Sequence, residues 1–229
     1  MRTTSLLLAL LFAAAPAFAQ DDMLSMRPDP QNPQGENMAT PPTWTVRFDH
    51  PGTATVGSEQ DSVDVWFVNM TPGWHITTGP AAIFYHPASM VAGNQGIESN
   101  IYFFDPGERL EAYGIFFGGQ NLANDDITYD YFLVRNNGEF IVKRWTGDET
   151  SVIHPWTAHE AVAIFGSDTE DTVANKLSLE IHDAEVAFFV NNTEVVRLPR
   201  ESVNTDGVLG FRLNHHVNVH VSTLSVEDL

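Results

Sequence analysis

Residues Lys176–Leu198 read KLSLEIHDAEVAFFVNNTEVVRL. Three runs alternate apolar and polar residues, the period-two signature of strands with one buried face. Two short interruptions, His182-Asp183 and Asn191-Asn192, are made of residues that turn a chain tightly. The stretch therefore reads as three antiparallel strands joined by two hairpins, and it fixes the local grammar of the chain.

The same grammar extends outward. In FLVRNNGEFIVKR, Asn136-Asn137-Gly138 joins two further strands. Short runs rich in Val, Ile, Phe and Tyr recur in WTVRFDH, VDVWFVN, AAIFYH, SNIYFF, EAYGIFF, TYDYFLVR, EFIVKRW, EAVAIF, VLGFRLN and VNVHVSTLSVE. Gly, Asn, Asp and Pro punctuate them. No segment of helical length carries apolar residues at i, i+3 and i+4, and DTEDTVANK offers a short turn at most. The pattern predicts an all-β protein, a two-sheet antiparallel jelly-roll β-sandwich spanning residues 44–229.

The beginning of the sequence carries a different message. MRTTSLLLALLFAAAPAFAQ has one basic residue, Arg2, an apolar run, and small residues at Ala17 and Ala19. That is the pattern of a secretory signal peptide cleaved after Ala19, with residues 1–19 removed. The run is shorter than the ~20 apolar residues needed to span a bilayer. Residues 20–43, rich in Pro, Gln, Asn and Met, read as a disordered tether. The expected location is secreted or periplasmic, without membrane insertion.

Composition removes several function classes. There is no cysteine, so no disulfide framework, thiolate metal site or cysteine nucleophile is available. Acidic residues number 30 against 11 basic ones, for a formal charge of −19. Such a surface repels phosphate backbones, which argues against a nucleic-acid partner, and keeps the protein soluble by self-repulsion.

Several strings carry a family resemblance. They are AYGIFFGG, YDYFLVRNNGEFIVKRW, NKLSLEIHDAEVAFFVNNTEVVRL, GVLGFRL and VNVHVSTLSV, which together cover Tyr113 to Val226. A strand with Gly-x-x-Phe, a strand of the type Leu-x-Leu-Glu-Ile and a Gly-x-x-Gly-Phe string follow one another in order. The chain resembles the concanavalin A-like lectin/glucanase superfamily, and within it laminin G-like modules and 3-keto-disaccharide hydrolase-like exported bacterial domains. The resemblance implies the sandwich fold and an involvement with sugars. Fold alone assigns no activity, so function must be argued from a site.

Retaining glucanases of that superfamily carry carboxylates on alternate residues of one strand, so that all point into the cleft. The nearest string here is Glu180–Glu185, EIHDAE. Asp183 stands three residues after Glu180, so the two cannot share a face of a regular strand, and the string coincides with the predicted turn. A glucanase triad is rejected.

Residues 72–87, PGWHITTGPAAIFYHP, concentrate polar and aromatic groups between turn-forming prolines. Trp74 and Tyr85 suit stacking on sugar rings, and His75, Thr77 and Thr78 suit hydrogen bonds to hydroxyls. The same stretch also reads as the corner of a sandwich, with Trp74 in its core. Gln120 and Asn121, after Gly118-Gly119, supply amides at an edge that equally reads as a β-bulge. Trp156, in SVIHPWTAHEAV, offers a second stacking platform. Ligand-binding candidates are thus Trp74, His75, Thr77, Thr78, Tyr85, Gln120, Asn121 and Trp156, with no catalytic residue assigned.

Histidines 215, 216 and 220 cluster near the end. On a strand, His216 and His220 would share a face yet lie about 13 Å apart, too far to chelate one ion without His75, His86, His154 or His159 converging from elsewhere. No cofactor is expected. Calcium is the ion the superfamily suggests, with NLANDDITYD (121–130) as an oxygen-rich candidate. The preferred function is carbohydrate or cell-surface glycan recognition without catalysis. A glycan hydrolase-like enzyme and a structural or adhesion module of the cell envelope are the alternatives.

Overall fold

The computed structural model describes residues 38–50, 52–166, 168–169 and 171–229. The leader and most of the tether fall outside them. The described end of the tether is docked: the Ala39 carbonyl accepts from the Asn69 amide, and Pro41 is buried.

Sixteen strands among the described residues, numbered in chain order, form two sheets. The seven-stranded sheet runs β1 (Thr45–Phe48), β5 (Ala82–Val91), β14 (Gly207–Leu213), β7 (Ala112–Gln120), β8 (Thr128–Arg135), β9 (Glu139–Thr146) and β10 (Glu149–Ala158). The nine-stranded sheet runs β13 (Thr193–Pro199), β12 (Glu185–Val190), β11 (Thr172–Ile181), β6 (Gln95–Phe104), β15 (Asn218–Val221), β4 (Trp74–Thr78), β3 (Val65–Asn69) and β2 (Val56–Gly57), with β16 (Ser225–Asp228) also paired to β6. All pairings are antiparallel except β2 with β3.

The stretch 176–198 forms β11, β12 and β13 as its alternation requires. Leu177, Leu179 and Ile181 face inward and pair across to Val190, Phe188 and Val186. Asn191 and Asn192 both take positive φ, 51° and 66°, the left-handed pair that a two-residue hairpin needs. At the β8–β9 hairpin, Gly138 supplies φ 81°.

Between the sheets lies a core dominated by aromatic rings. Phe67, Phe84, Phe103, Phe117, Phe132, Phe140, Phe188 and Phe211 are essentially inaccessible. Each contributes about 1.5–3 kcal/mol of burial free energy, which is how a chain without disulfides holds two sheets together. Asn175 is a polar residue built into this layer. The Asn175 amide donates to the Tyr113 hydroxyl and the Ala163 carbonyl, and its oxygen accepts from the Ala163 amide and from Asn191. Every polar atom of that side chain is satisfied, as burial demands.

Three departures from the sequence pattern have physical reasons. EAVAIF (160–165) is not a strand: Asn175 and Asn136 side chains hold its backbone groups at Ala163 and Phe165, in place of a neighbouring strand. VNVHVSTLSVE breaks into β15 and β16, because Thr223 turns aside to bond Ser99 and Asn100. Finally, 149–158 is an edge strand despite Pro155. Two irregularities in its pairing with β9 and its solvated side accommodate the missing donor.

Candidate functional site

The residues singled out in 72–87 do not form one site. Trp74–Thr78 is a strand, and the chain crosses at Gly79–Ala81 from the nine-stranded to the seven-stranded sheet. Trp74 points inward, its ring 4.7 Å from that of Trp44 and 5.8 Å from that of Phe211. The stretch is a corner, and Trp74 is core rather than a stacking platform. Thr78 is also buried, donating to the Asn214 carbonyl and accepting from the Val217 amide.

His75 and Thr77 alternate to the outer face of the nine-stranded sheet. There the Asn218 side-chain oxygen accepts from His75 Nε2 at 2.7 Å and from the Thr77 hydroxyl at 3.1 Å. His220 lies beside His75, ring centroids 6.3 Å apart, and against Tyr102, while Trp66 and Phe104 pack on His75. Both rings are buried. Burial lowers the pKa of His75, against the pull of Asn218; burial and then His75 bring His220 down to about 4. This is a neutral, packed histidine pair, not an exposed contact surface.

Gln120 and Asn121 end a β-bulge. The register of β7 against β8 slips between Phe117 and Gln120, and Gly118 takes φ 63°. A side chain at Gly118 would collide with the Asn204 carbonyl. Gln120 donates to the Asp206 carbonyl, and Asn121 to Asp126. Both amides therefore fasten loops.

Among the described residues, no group of three His, Asp or Glu side chains is placed to hold a metal ion. Within 121–130, Asp130 is committed to Arg144, which it pairs with at 2.7 and 2.8 Å. His215 and His216 sit in the exposed turn before β15, and His216 does not share the strand face of His220. Glu180, Asp183 and Glu185 occupy the β11–β12 hairpin end, with Asp183 accepting from Asn94 and Glu185 paired to Arg197.

The site-like surface lies elsewhere, on the outer face of the seven-stranded sheet. Strand alternation there places a second apolar layer outside the core: Tyr85, Phe116, Tyr129, Tyr131, Leu133, Ile141 and Trp145. Two depressions open over it. One, of about 310 Å³, is floored by Tyr131, Leu133, Ile141 and Trp145 and rimmed by Lys143, Thr150, Trp156, Asn214 and His215. The other, of about 390 Å³, lies between Arg47, Tyr85, Leu122 and Asp125. A small cavity of about 10 Å³ shares Arg47 and Phe48 with one and Asp49 and Trp145 with the other, so the two depressions adjoin on this face and together make up a trough. Sites for small organic ligands begin at about 300 Å³.

Arg212 organises the floor. It stands on β14 opposite Gly114, where no side chain competes for the space. Its guanidinium lies 5.8 Å from the Tyr131 ring and 5.7 Å from that of Trp145. Both oxygens of Asp49 accept from it, Nη2 to Oδ2 at 2.6 Å. Arg212 is 4 % exposed. Burial opposes its charge, but the Asp49 carboxylate, through its hydrogen bonds and opposite charge, supports the ionised form. Burial also raises the Tyr131 phenol to about 12. Lys143 reaches over the same Tyr131 ring at 6.0 Å. Trp156, half-buried, is the accessible aromatic, with Arg135 stacked on it at 4.0 Å.

Of the sequence candidates, the trough takes in Tyr85 and Trp156. Sequence reading missed Arg47, Asp49, Tyr131, Lys143, Trp145 and Arg212. A signal was present: TYDYFLVR and EFIVKRW carry large apolar residues on both faces, more than a solvated outer face requires.

No family model and no curated protein matches the chain. Among solved structures, it is similar to carbohydrate-binding module CBM66 from Bacillus subtilis, with TM-score 0.56, 15% identity, and coverage of 86% of this chain and 100% of that one. It is also similar to a Bacillus subtilis protein of unknown function with a galectin-like fold, with TM-score 0.51, 12% identity, and coverage of 86% and 97%. The fold is thus an all-β, two-sheet sandwich of the jelly-roll, lectin-type architecture.

Proposed function

We propose that this is an exported glycan-binding β-sandwich that acts without catalysis, and that the trough on the seven-stranded sheet is its binding surface. The observation that carries this reading is the trough itself. A half-exposed Trp156 stands over an aromatic floor, and Thr150, Asn214 and His215 offer hydrogen-bonding groups around it. Sugars present C–H faces to rings and hydroxyls to polar rims, and two adjoining depressions suit neighbouring sugars of one chain. The likeness in fold to a carbohydrate-binding module supports the same class of ligand. So does the resemblance in sequence pattern to laminin G-like and 3-keto-disaccharide hydrolase-like domains, which stays part of the proposal.

Binding is favoured over hydrolysis by the use made of Asp49. Glycoside hydrolysis needs two carboxyl groups across the bond, one of them free to give a proton. Asp49 engages Arg212 through both oxygens, and Asp125 is the other carboxylate lining the trough among the described residues. An envelope module that needs no pocket would leave the trough unexplained.

The test is a glycan array with the wild-type protein and Trp156→Ala, with calcium and again with a chelator. Specific binding lost in a well-folded Trp156→Ala variant is the expected result. Binding that survives the substitution moves the site elsewhere, and silence from a folded protein removes the glycan reading.

A further inference from the structure

Eleven basic residues serve a chain of formal charge −19. Arg2 and Arg27 lie outside the described residues. Six of the others, Arg135, Arg144, Lys176, Arg197, Arg200 and Arg212, are ion-paired to carboxylates. Of the remaining three, Arg109 sits on an exposed loop. The other two, Lys143 and Arg47, both line the trough, one at each depression. In so acidic a protein, cations without a carboxylate within ion-pair distance are scarce, and this face holds two of them.

Their surroundings make the placement chemically pointed. Lys143 is half-buried, its ammonium 6.0 Å from the centre of the Tyr131 ring, and the Arg212 guanidinium lies 5.8 Å from the same ring. Burial, and then Arg212, lower the pKa of Lys143. An anion set above it would offset both effects, replacing lost hydration and countering the repulsion from Arg212. Arg47 gives one guanidinium hydrogen to the Leu122 carbonyl at 3.1 Å, which fixes the group while other donors remain. A guanidinium so held matches the two oxygens of a carboxylate or sulfate.

We infer that the ligand of the trough is an acidic glycan, a sugar chain bearing carboxylate or sulfate groups that meet Lys143 and Arg47 while its rings lie along Trp156 and the aromatic floor. This inference rests on the glycan-binding reading above and names its ligand class. The strongly negative remainder of the surface does not forbid it. At physiological ionic strength the screening length is about 8 Å, so the local balance outweighs distant charges: Asp49 is paired to Arg212, leaving Lys143 and Arg47 against Asp125.

The test uses an array that carries uronate and sulfated glycans beside their carboxyl-reduced and desulfated counterparts, probed with wild type, Lys143→Gln, Lys143→Arg and Trp156→Ala. Wild type is expected to prefer acidic members at least tenfold. Lys143→Gln should lose that preference and Lys143→Arg retain it, so a loss through misfolding is distinguished from a loss of charge. Carboxylated and sulfated spots separate the two sources of the anion, and preference for either supports the inference. Equal binding of neutral counterparts, still abolished by Trp156→Ala, overturns the acidic ligand and leaves the glycan reading standing. Binding to no glycan overturns both.

Discussion

Replacing Asp49 by asparagine keeps the shape of the side chain and removes the counter-charge of Arg212. The guanidinium is 4 % exposed and cannot turn to water without leaving its place between Tyr131 and Trp145. Breaking a buried pair from one side costs about 3–5 kcal/mol, because the surviving charge is left uncompensated. For a domain of this size each kcal/mol moves the melting temperature by about 2–4 °C, so Asp49→Asn should lower Tm by about 6–20 °C. The double variant Asp49→Leu/Arg212→Met removes both charges and should recover much of that loss, since apolar replacement of a whole buried pair is often neutral. Calorimetric melts of wild type, Asp49→Leu, Arg212→Met and the double variant close the cycle. A loss below about 1 kcal/mol for Asp49→Asn, the range of an exposed pair, would refute the claim that Arg212 is desolvated, and with it the organisation of the trough floor.

Other perturbations probe other parts of the fold. Trp74→Ala opens a hole against Trp44 and Phe211 and should cost about 3–5 kcal/mol; denaturant unfolding measures it, and a loss under about 1 kcal/mol would place Trp74 outside the core. Gly118→Ala forces a Cβ against the Asn204 carbonyl at φ 63° and should destabilise by more than about 1 kcal/mol, read from the urea midpoint; a neutral outcome would contradict the bulge. Asn175→Leu strips four hydrogen-bond partners at once and should cost about 3 kcal/mol or more in the same assay. The neutral His75–His220 pair makes stability depend on pH. The folded His220 titrates at about 4 against 6.5 in the unfolded chain, so the unfolded state takes up its proton first, and stability falls as pH drops from about 6.5 to about 4. That contribution is about 3 kcal/mol, and His220→Leu should flatten the slope of unfolding free energy over this window; an unchanged slope would show that the histidine is not buried neutral.

Much of the fold is legible in the sequence because strand alternation and hairpin residues are local. Thr128–Arg135 has the same bounds in sequence and structure, and the paired asparagines at 191 and 192 sit where left-handed backbone is needed. The glucanase-like string at 180–185 could be set aside on spacing alone. Trp74–Thr78 was harder: WHITT alternates, but its polar and aromatic mixture between prolines looks the same on a loop. The site was less legible still. Arg212 and Asp49 are 163 residues apart and meet because β14 and β1 flank β5. Trp145 and Tyr131 read as ordinary strand residues until the sheet shows that their face is the outer one. Convergence of that kind is set by topology, which no local pattern states.

The five tryptophans offer a direct reading of where a glycan sits. Trp145 and Trp156 belong to the trough, Trp44 and Trp74 to the core, and Trp66 to the outer face of the other sheet. The decisive measurement follows the indole N–H resonances while the protein is titrated with a glycan that it binds on the array. The expected result is a saturable shift of Trp156 and Trp145 with Trp66 unmoved. Shifts confined to Trp66, or to Trp44 and Trp74, would contradict a binding surface on the seven-stranded sheet.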